Sequence, residues 1–203
     1  MTEFATRFEI ALPAWVAEEL EGLPAALPTV EERMRLVHRL AARNFREETG
    51  GPFAAVVAES GTGRIVSVGV NLVLASGISS AHAEVVALSL AQARLGAWDL
   101  GGSGMPGHEL VVNWRPCIQC YGATMWSGVR GLVIAGSGPE LEEITTFDEG
   151  PLGEDWAEQF EARGITVTHD VLRDEALAVY RDYRAFIESG AGVVYNARGL
   201  SEA

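Results

Sequence analysis

The chain has 203 residues, 48% hydrophobic and 21% charged, a balance that suits one globular domain with a sizeable core. Its 15 basic residues, all of them arginine, stand against 28 acidic ones, for a net charge of −13 and no arginine-rich run. That charge repels phosphate backbones and anionic lipid surfaces, which disfavours nucleic acid and membrane as partners and favours a small neutral or cationic ligand.

No stretch approaches 18 uninterrupted apolar residues, so no membrane-spanning helix is expected. Met1-Thr2-Glu3-Phe4 has no basic region ahead of an apolar run, so no secretory leader is expected either. The two cysteines are too few for a disulfide framework and read as a reduced, cytoplasmic thiol pair.

In chain order, residues 1–28 form an extension punctuated by alanine and proline, with a short helix over Trp15 to Leu20. Thr29-Val30-Glu31-Glu32 is a capping box that starts a helix running to about Glu48. Met34, Val37, Leu40, Ala41 and Phe45 give that helix one buried face, and His38 beside them reads as a surface or satisfied histidine. Gly50-Gly51-Pro52 ends it. Phe53–Ala58 and Arg64–Val70 then form a hairpin across Gly61-Thr62-Gly63.

A loop from Asn71 to Ser80 leads to a helix over His82–Leu95, apolar around its circumference and therefore buried. A glycine-rich loop (96–108) precedes a strand at Glu109–Asn113. Pro116 opens a helix to about Val129, followed by a strand at Gly131–Ala135 and a short helix over Glu140–Ile144. A helix through Trp156 and Phe160 to Arg163, a strand at Ile165–Thr168 and a last helix over Val171–Ile187 complete the domain. His108 and His169 read as surface residues. A hairpin followed by alternating helices and strands makes an α/β protein, a three-layer α/β/α sandwich on a five-stranded mixed sheet.

The chemistry is concentrated in Ala81-His82-Ala83-Glu84 and Pro116-Cys117-Ile118-Gln119-Cys120. Cys117 and Cys120, three apart at a helix start, put both sulfurs on one face where the helix dipole favours thiolates. His82 adds an imidazole from another helix start. One nitrogen and two sulfurs are a zinc ligand set that leaves one position open, so one Zn²⁺ per subunit is expected. Glu84 projects away from His82 and is placed to move protons. The combination His-x-Glu with Pro-Cys-x-x-Cys is the zinc deaminase signature. Two readings of another class are a Cys-x-x-Cys redox protein and a zinc-binding domain without activity.

With these residues the chain resembles the cytidine-deaminase-like superfamily, and within it the bacterial guanine deaminases. The likeness runs from about Met34 to Asn196. Gly51–Val57 resembles the family's first strand, Asn71 its substrate-binding asparagine and Trp126-Ser127-Gly128-Val129 the segment after the cysteine motif. Phe147-Asp148-Glu149-Gly150-Pro151 resembles the acidic element of the guanine deaminases, including those that accept the triazine ammeline. Tyr195-Asn196-Ala197-Arg198 resembles that subgroup's ending.

The resemblance implies a zinc-dependent deaminase domain over 29–189 and a tail over 190–203 that closes the site. It implies metal binding by His82, Cys117 and Cys120, and catalysis by Glu84 and Glu149. Substrate contacts would come from Phe53, Asn71, Ala83, Trp114, Asp148 and Tyr195. The implied reaction is hydrolysis of an amino group on a nucleobase or azine ring, guanine first, in a cytoplasmic homodimer. Residue by residue, Glu149 can accept two adjacent N–H donors, Asn71 can donate or accept, and Phe53 can pack on a flat ring.

Without the resemblance, Asp148-Glu149 reads as an exposed acidic turn. The chain departs from the family at Trp114, Arg115 and Gln119, which leaves ammeline, another triazine, cytosine or a nucleoside open as substrate. Arg115 stands where the family carries glutamate. It either offsets the thiolate charge or faces away in a salt bridge.

Overall fold

The computed structural model describes residues 4–196. Among them are eight helices and five strands in the order α1 (Ala14–Leu20), α2 (Val30–Arg46), β1 (Ala54–Glu59), β2 (Ile65–Val70), α3 (Val73–Ser76), α4 (Ala83–Leu95), β3 (His108–Val112), α5 (Ile118–Ser127), β4 (Gly131–Ile134), α6 (Glu140–Thr145), α7 (Trp156–Glu161), β5 (Thr166–Thr168) and α8 (Arg173–Glu188). The expected sandwich is present. Part of the expected loop after Asn71 is the short α3, and the expected helix at Pro116 begins at Ile118 with Cys117 as its N-cap.

The strands lie in the order β2-β1-β3-β4-β5. β1 is antiparallel to both neighbours, while β3, β4 and β5 are parallel. β2 and β3 therefore run the same way on either side of β1, and their carboxyl ends emerge at the end of the sheet where β1 begins. That geometry gathers the loops carrying Asn71, Arg115 and Phe53 at one edge, the usual place for a ligand crevice in an α/β sheet.

Both faces of the sheet are covered, so its strands are apolar on both sides rather than alternating with polar residues. Ala54, Val56, Val111 and Val133 join the core under α2 and α8, with Met34, Leu40, Ala176 and Tyr180. Ala55, Val57, Leu110, Val112, Leu132 and Ile134 join the core under α4 and α7, with Ala87, Ala91 and Phe160. The N-terminal segment contributes Trp15, Val16 and Leu27 to the first core. Leu27 is tied back to the sheet by its N–H, which donates to Gly63 O, and by its carbonyl, which accepts from Arg33.

The capping box forms as expected: Thr29 Oγ1 accepts from the Glu32 N–H, and Glu32 Oε2 accepts from the Thr29 N–H. Arg33, in the first turn of α2, makes a buried ion pair with Glu109 of β3 at 2.8 Å. Glycine sets the spacing of α4 on β2. A Cβ on Gly69 would stand 2.2 Å from the Ala83 carbonyl oxygen and 2.5 Å from the Ala87 nitrogen, so no side chain fits there.

Two histidines depart from expectation. His108 is fully buried rather than at the surface, because the loop before it folds over the start of β3 and its Leu100 carbonyl lies 2.6 Å from His108 Nδ1. His38 is only 5% exposed and neither ring nitrogen has a hydrogen-bond partner. Glu175 of α8, which packs along α2, stands 3.7 Å from its Nδ1. Burial pushes His38 down to about 4, against the opposing pull of Glu175. His169 is exposed as expected.

Two outcomes follow. Gly69→Ala should cost at least about 2 kcal/mol in urea melts, because the obstructing atoms are backbone and α4 must move. In the second case, the unfolded chain binds a proton at His38 near pH 6.5 and the fold only near about 4. Stability should therefore fall as pH drops through that window, and His38→Leu should remove about 2–3 kcal/mol of the loss between pH 7 and pH 4 in melts at stepped pH.

Candidate active site

His82 is the N-cap of α4 and Cys117 the N-cap of α5, and neither side chain makes a capping hydrogen bond. Both are therefore free to point away from their helices and toward each other. Cys120 follows in the first turn of α5, fully buried. His82 Nδ1 stands 3.4 Å from Cys117 Sγ and 3.5 Å from Cys120 Sγ. All three donor atoms lie within 4.8 Å of one another. A nitrogen at about 2.0 Å and a sulfur at about 2.3 Å from one tetrahedral ion are separated by about 3.5 Å. The set is thus already spaced for zinc.

The electrostatics agree. Cys117 is pulled down to about 4 by the hydrogen bond from Cys120, against burial, and by His82. Cys120 is raised, first by its bond to Cys117 and then by burial. Glu84 is raised by burial and by the charge on Cys117. Burial opposes charge on His82, but Cys117 and Glu84 outweigh it and raise its pKa. Negative charge is crowded into a few ångströms with little to balance it, which a divalent cation would relieve.

His82, Glu84 and Cys117 line a cavity of about 470 Å³ at the sheet edge, with Cys120 buried behind them. Phe53 and Phe147 meet edge to face at 5.2 Å, and Tyr195 closes on Phe147 at 5.1 Å. Trp114 is buried between the Tyr180 edge at 5.5 Å and the Arg173 guanidinium at 5.1 Å, with its Nε1–H on the Gly138 carbonyl. Asn71 is only partly available. Its Oδ1 accepts from the Val73 N–H at 3.2 Å, so the amide NH₂ is the end left for the cavity.

Glu149 lies in the cavity wall, pushed up to about 8 by burial and then by the charges of Cys117 and Glu84. Its neighbour Asp148 is exposed and accepts from the Gly150 N–H, which shapes the loop. The bland reading, an exposed acidic turn, describes Asp148 and not Glu149. Ala83 is buried against β2 and is not among the cavity walls. Arg115 lines the cavity and makes no ion pair among the described residues, so the salt bridge facing away has no partner there. Ala197 and Arg198 lie outside the described residues.

Sequence reasoning missed two asparagines that support these walls. Asn44 of α2 is fully buried and donates from Nδ2 to the carbonyls of Gly51 (2.8 Å) and Asn71 (2.9 Å). Asn113, at the end of β3, donates to Pro52 O at 2.8 Å and accepts from the Ala54 N–H at 3.3 Å. The available signal was a polar residue on an apolar helical face, since Asn44 follows Leu40 and Ala41 and precedes Phe45.

The family model for the cytidine and deoxycytidylate deaminase zinc-binding region matches residues 28–136. The chain belongs to that family and is a zinc-dependent aminohydrolase. Its relatives point within the family. It is 30% identical to the guanine deaminase of Bacillus subtilis over 147 residues, 72% of this chain and 88% of the relative. The solved guanine deaminase from Nitrosomonas europaea is 44% identical, with 90% of this chain and 99% of that one covered at a TM-score of 0.84. A solved structure holding 8-azaguanine is also 44% identical, covering 90% and 98% at 0.84.

The asparagine bracket can be tested directly. Asn44→Ala takes its donor from the Asn71 carbonyl and leaves the Gly51 carbonyl with the Phe53 N–H alone, and should cost about 1–3 kcal/mol in denaturant melts. It should also raise KM more than it lowers kcat, because the Asn71 loop loses its anchor.

Proposed function

We propose that this enzyme deaminates guanine to xanthine, with release of ammonia. The observation that carries the reading is a second carboxylate: Glu149 shares one aromatic-lined cavity with Glu84, His82 and Cys117, the last two part of the three-atom donor set completed by Cys120. A purine edge with adjacent N–H groups matches a carboxylate that accepts two hydrogen bonds. The relatives' names support the same substrate.

His82, Cys117 and Cys120 hold the zinc. Bound there, zinc supplies the Lewis acidity that makes a water molecule nucleophilic near neutral pH. Glu84, buried at the start of α4, takes a proton from the attacking water and delivers it to the departing amine. The oxygen becomes the new carbonyl. One hydrogen of the water leaves with the amino group as ammonia and the other stays on the ring.

Glu149 accepts from the N–H edge as a carboxylate and exchanges protons with the ring, since bound zinc would offset the Cys117 charge that helps raise its pKa. The Asn71 amide donates to an acceptor on the ring, and Phe53 and Trp114 pack against its faces. Asp148 and Tyr195 complete the wall. The catalytic unit is 29–189, with 1–28 as an extension and 190–203 as the closing tail.

The enzyme acts as a cytoplasmic homodimer on a free small molecule. No helix among the described residues is long and apolar enough to cross a membrane. The stretches 65–83 and 116–129 contain no charged residue, and they carry Leu74, Ile118 and Trp126, the last 85% exposed. In a chain of net charge −13, such a neutral face is where two copies can meet at least electrostatic cost.

The test is an ammonia-release screen over guanine, ammeline, cytosine, adenine and their nucleosides, run beside metal analysis. Guanine should give the highest kcat/KM, with one zinc per subunit. A higher value on another ring would replace the substrate, and insulin reduction without zinc would replace the reaction. Glu84→Gln should keep its zinc and lose about 10²–10⁴-fold in kcat.

A further inference from the structure

The last described residue, Asn196, makes an unusual pair of contacts. Its side-chain Nδ2 donates to the Thr146 carbonyl at 2.9 Å, and its Oδ1 accepts from the Asp148 N–H at 3.0 Å. One amide thus pairs with residues i and i+2 of a separate loop, as a neighbouring strand would. Both polar ends are used, so the side chain has a single productive orientation.

The bridged loop needs holding. Thr146 sits at φ 61°, ψ 16°, a left-handed conformation that a β-branched residue adopts only when its surroundings impose it. Glu149 follows three residues later. Its carbonyl accepts from the N–H of Ile118, the first residue of α5, at 3.0 Å. The Glu149 loop is therefore fastened on one side to the helix that bears the cysteines and on the other to the C-terminal tail.

The tail is itself anchored. The Tyr183 hydroxyl donates to the Val193 carbonyl at 3.3 Å, and the Tyr195 ring packs on Phe147, which also stacks on Tyr183 at 5.7 Å. Phe147 lies between the two residues that Asn196 bridges. Ring contact and amide contact thus act on the same three residues.

We propose that Asn196 is a positioning residue for the deamination: it clamps residues 146–148 so that the Glu149 carboxylate is held at the depth and angle the ring requires. The proposal rests on the deaminase reading of Glu149. Aspartate at 196 would keep the acceptor but set a carboxylate against the Thr146 carbonyl. Glutamine would carry the amide one methylene too far to meet both partners.

The test is a double-mutant cycle on the full-length, zinc-loaded protein, read together with backbone amide exchange at Asp148 by NMR. Asn196→Ala and Asn196→Asp should each lower kcat/KM for guanine by about 10- to 100-fold, the range a misplaced catalytic group produces. Zinc content and Tm should stay at the wild-type values. In a Glu149→Gln background, Asn196→Ala should change the rate less than about 2-fold, since the group it positions is gone. If turnover there is too slow to measure, the cycle is read on Kd for 8-azaguanine by calorimetry.

Exchange at Asp148 should speed up at least about 10-fold in Asn196→Ala, because its acceptor has been removed. Unchanged kcat/KM, or a full additive loss in the Glu149→Gln background, would overturn the proposal. If wild-type protein releases no ammonia from any ring in the screen, the substrate reading fails instead. Exchange at Asp148 and the effect of Asn196→Ala on the Kd for 8-azaguanine then decide the clamp by themselves.

Discussion

Everything in this protein depends on two helix starts meeting at one point. The N-cap residues of α4 and α5 are His82 and Cys117, two of the three donors spaced for a metal, and neither spends its side chain on capping. The meeting follows from the sheet. β2 and β3 run the same way with β1 reversed between them, so the chain leaves both at one edge and enters both helices from there. Gly69 then lets α4 lie against β2 at backbone distance, which fixes how far His82 reaches. Without that approach, an imidazole and two thiols 35 residues apart in sequence would not come within a metal's reach.

Around this point the fold collects acidic and thiol groups and buries most of them. Glu84 and Glu149 are both raised by burial and by the Cys117 charge. Buried carboxyl groups whose pKa is raised in this way hold and release protons more readily than exposed ones, which is what general acid–base chemistry requires. The walls are stiffened by polar side chains that hydrogen-bond to backbone groups. Asn44 and Asn113 bind the backbone on either side of Phe53, and Asn196 binds the loop ahead of Glu149. Each supplies the donor or acceptor that an irregular segment lacks, so loops can hold a shape as defined as that of the sheet.

Much of the fold was legible because its elements carry local signals. The Thr29–Glu32 box announced α2, the turn at Gly61-Thr62-Gly63 announced the hairpin, and uninterrupted apolar runs marked strands buried on both faces. Boundaries moved by one or two residues at most strands. Histidine burial was less legible. His38 is covered by α8, far off in sequence, and His108 by the irregular loop just before it, and neither covering segment leaves a periodic trace around the histidine. The site divided in the same way. The metal ligands and Glu84 lie in two short motifs, while the substrate wall comes from five separate segments.

The sequence by itself determined the chemistry. One imidazole, two thiols and a carboxylate two places after the histidine name a metal and a proton carrier, whatever surrounds them. The tertiary structure decided how that chemistry is presented. It turned the Asn71 amide so that only its donors face the cavity, because the Val73 N–H takes the oxygen. It separated Asp148 from Glu149, leaving the first exposed at the cavity rim and burying the second more deeply in the same wall. It brought Asn196 across 50 residues to the Thr146 carbonyl. Those outcomes depend on the direction a side chain takes once distant segments have packed, whereas the donor atoms belong to the residues themselves.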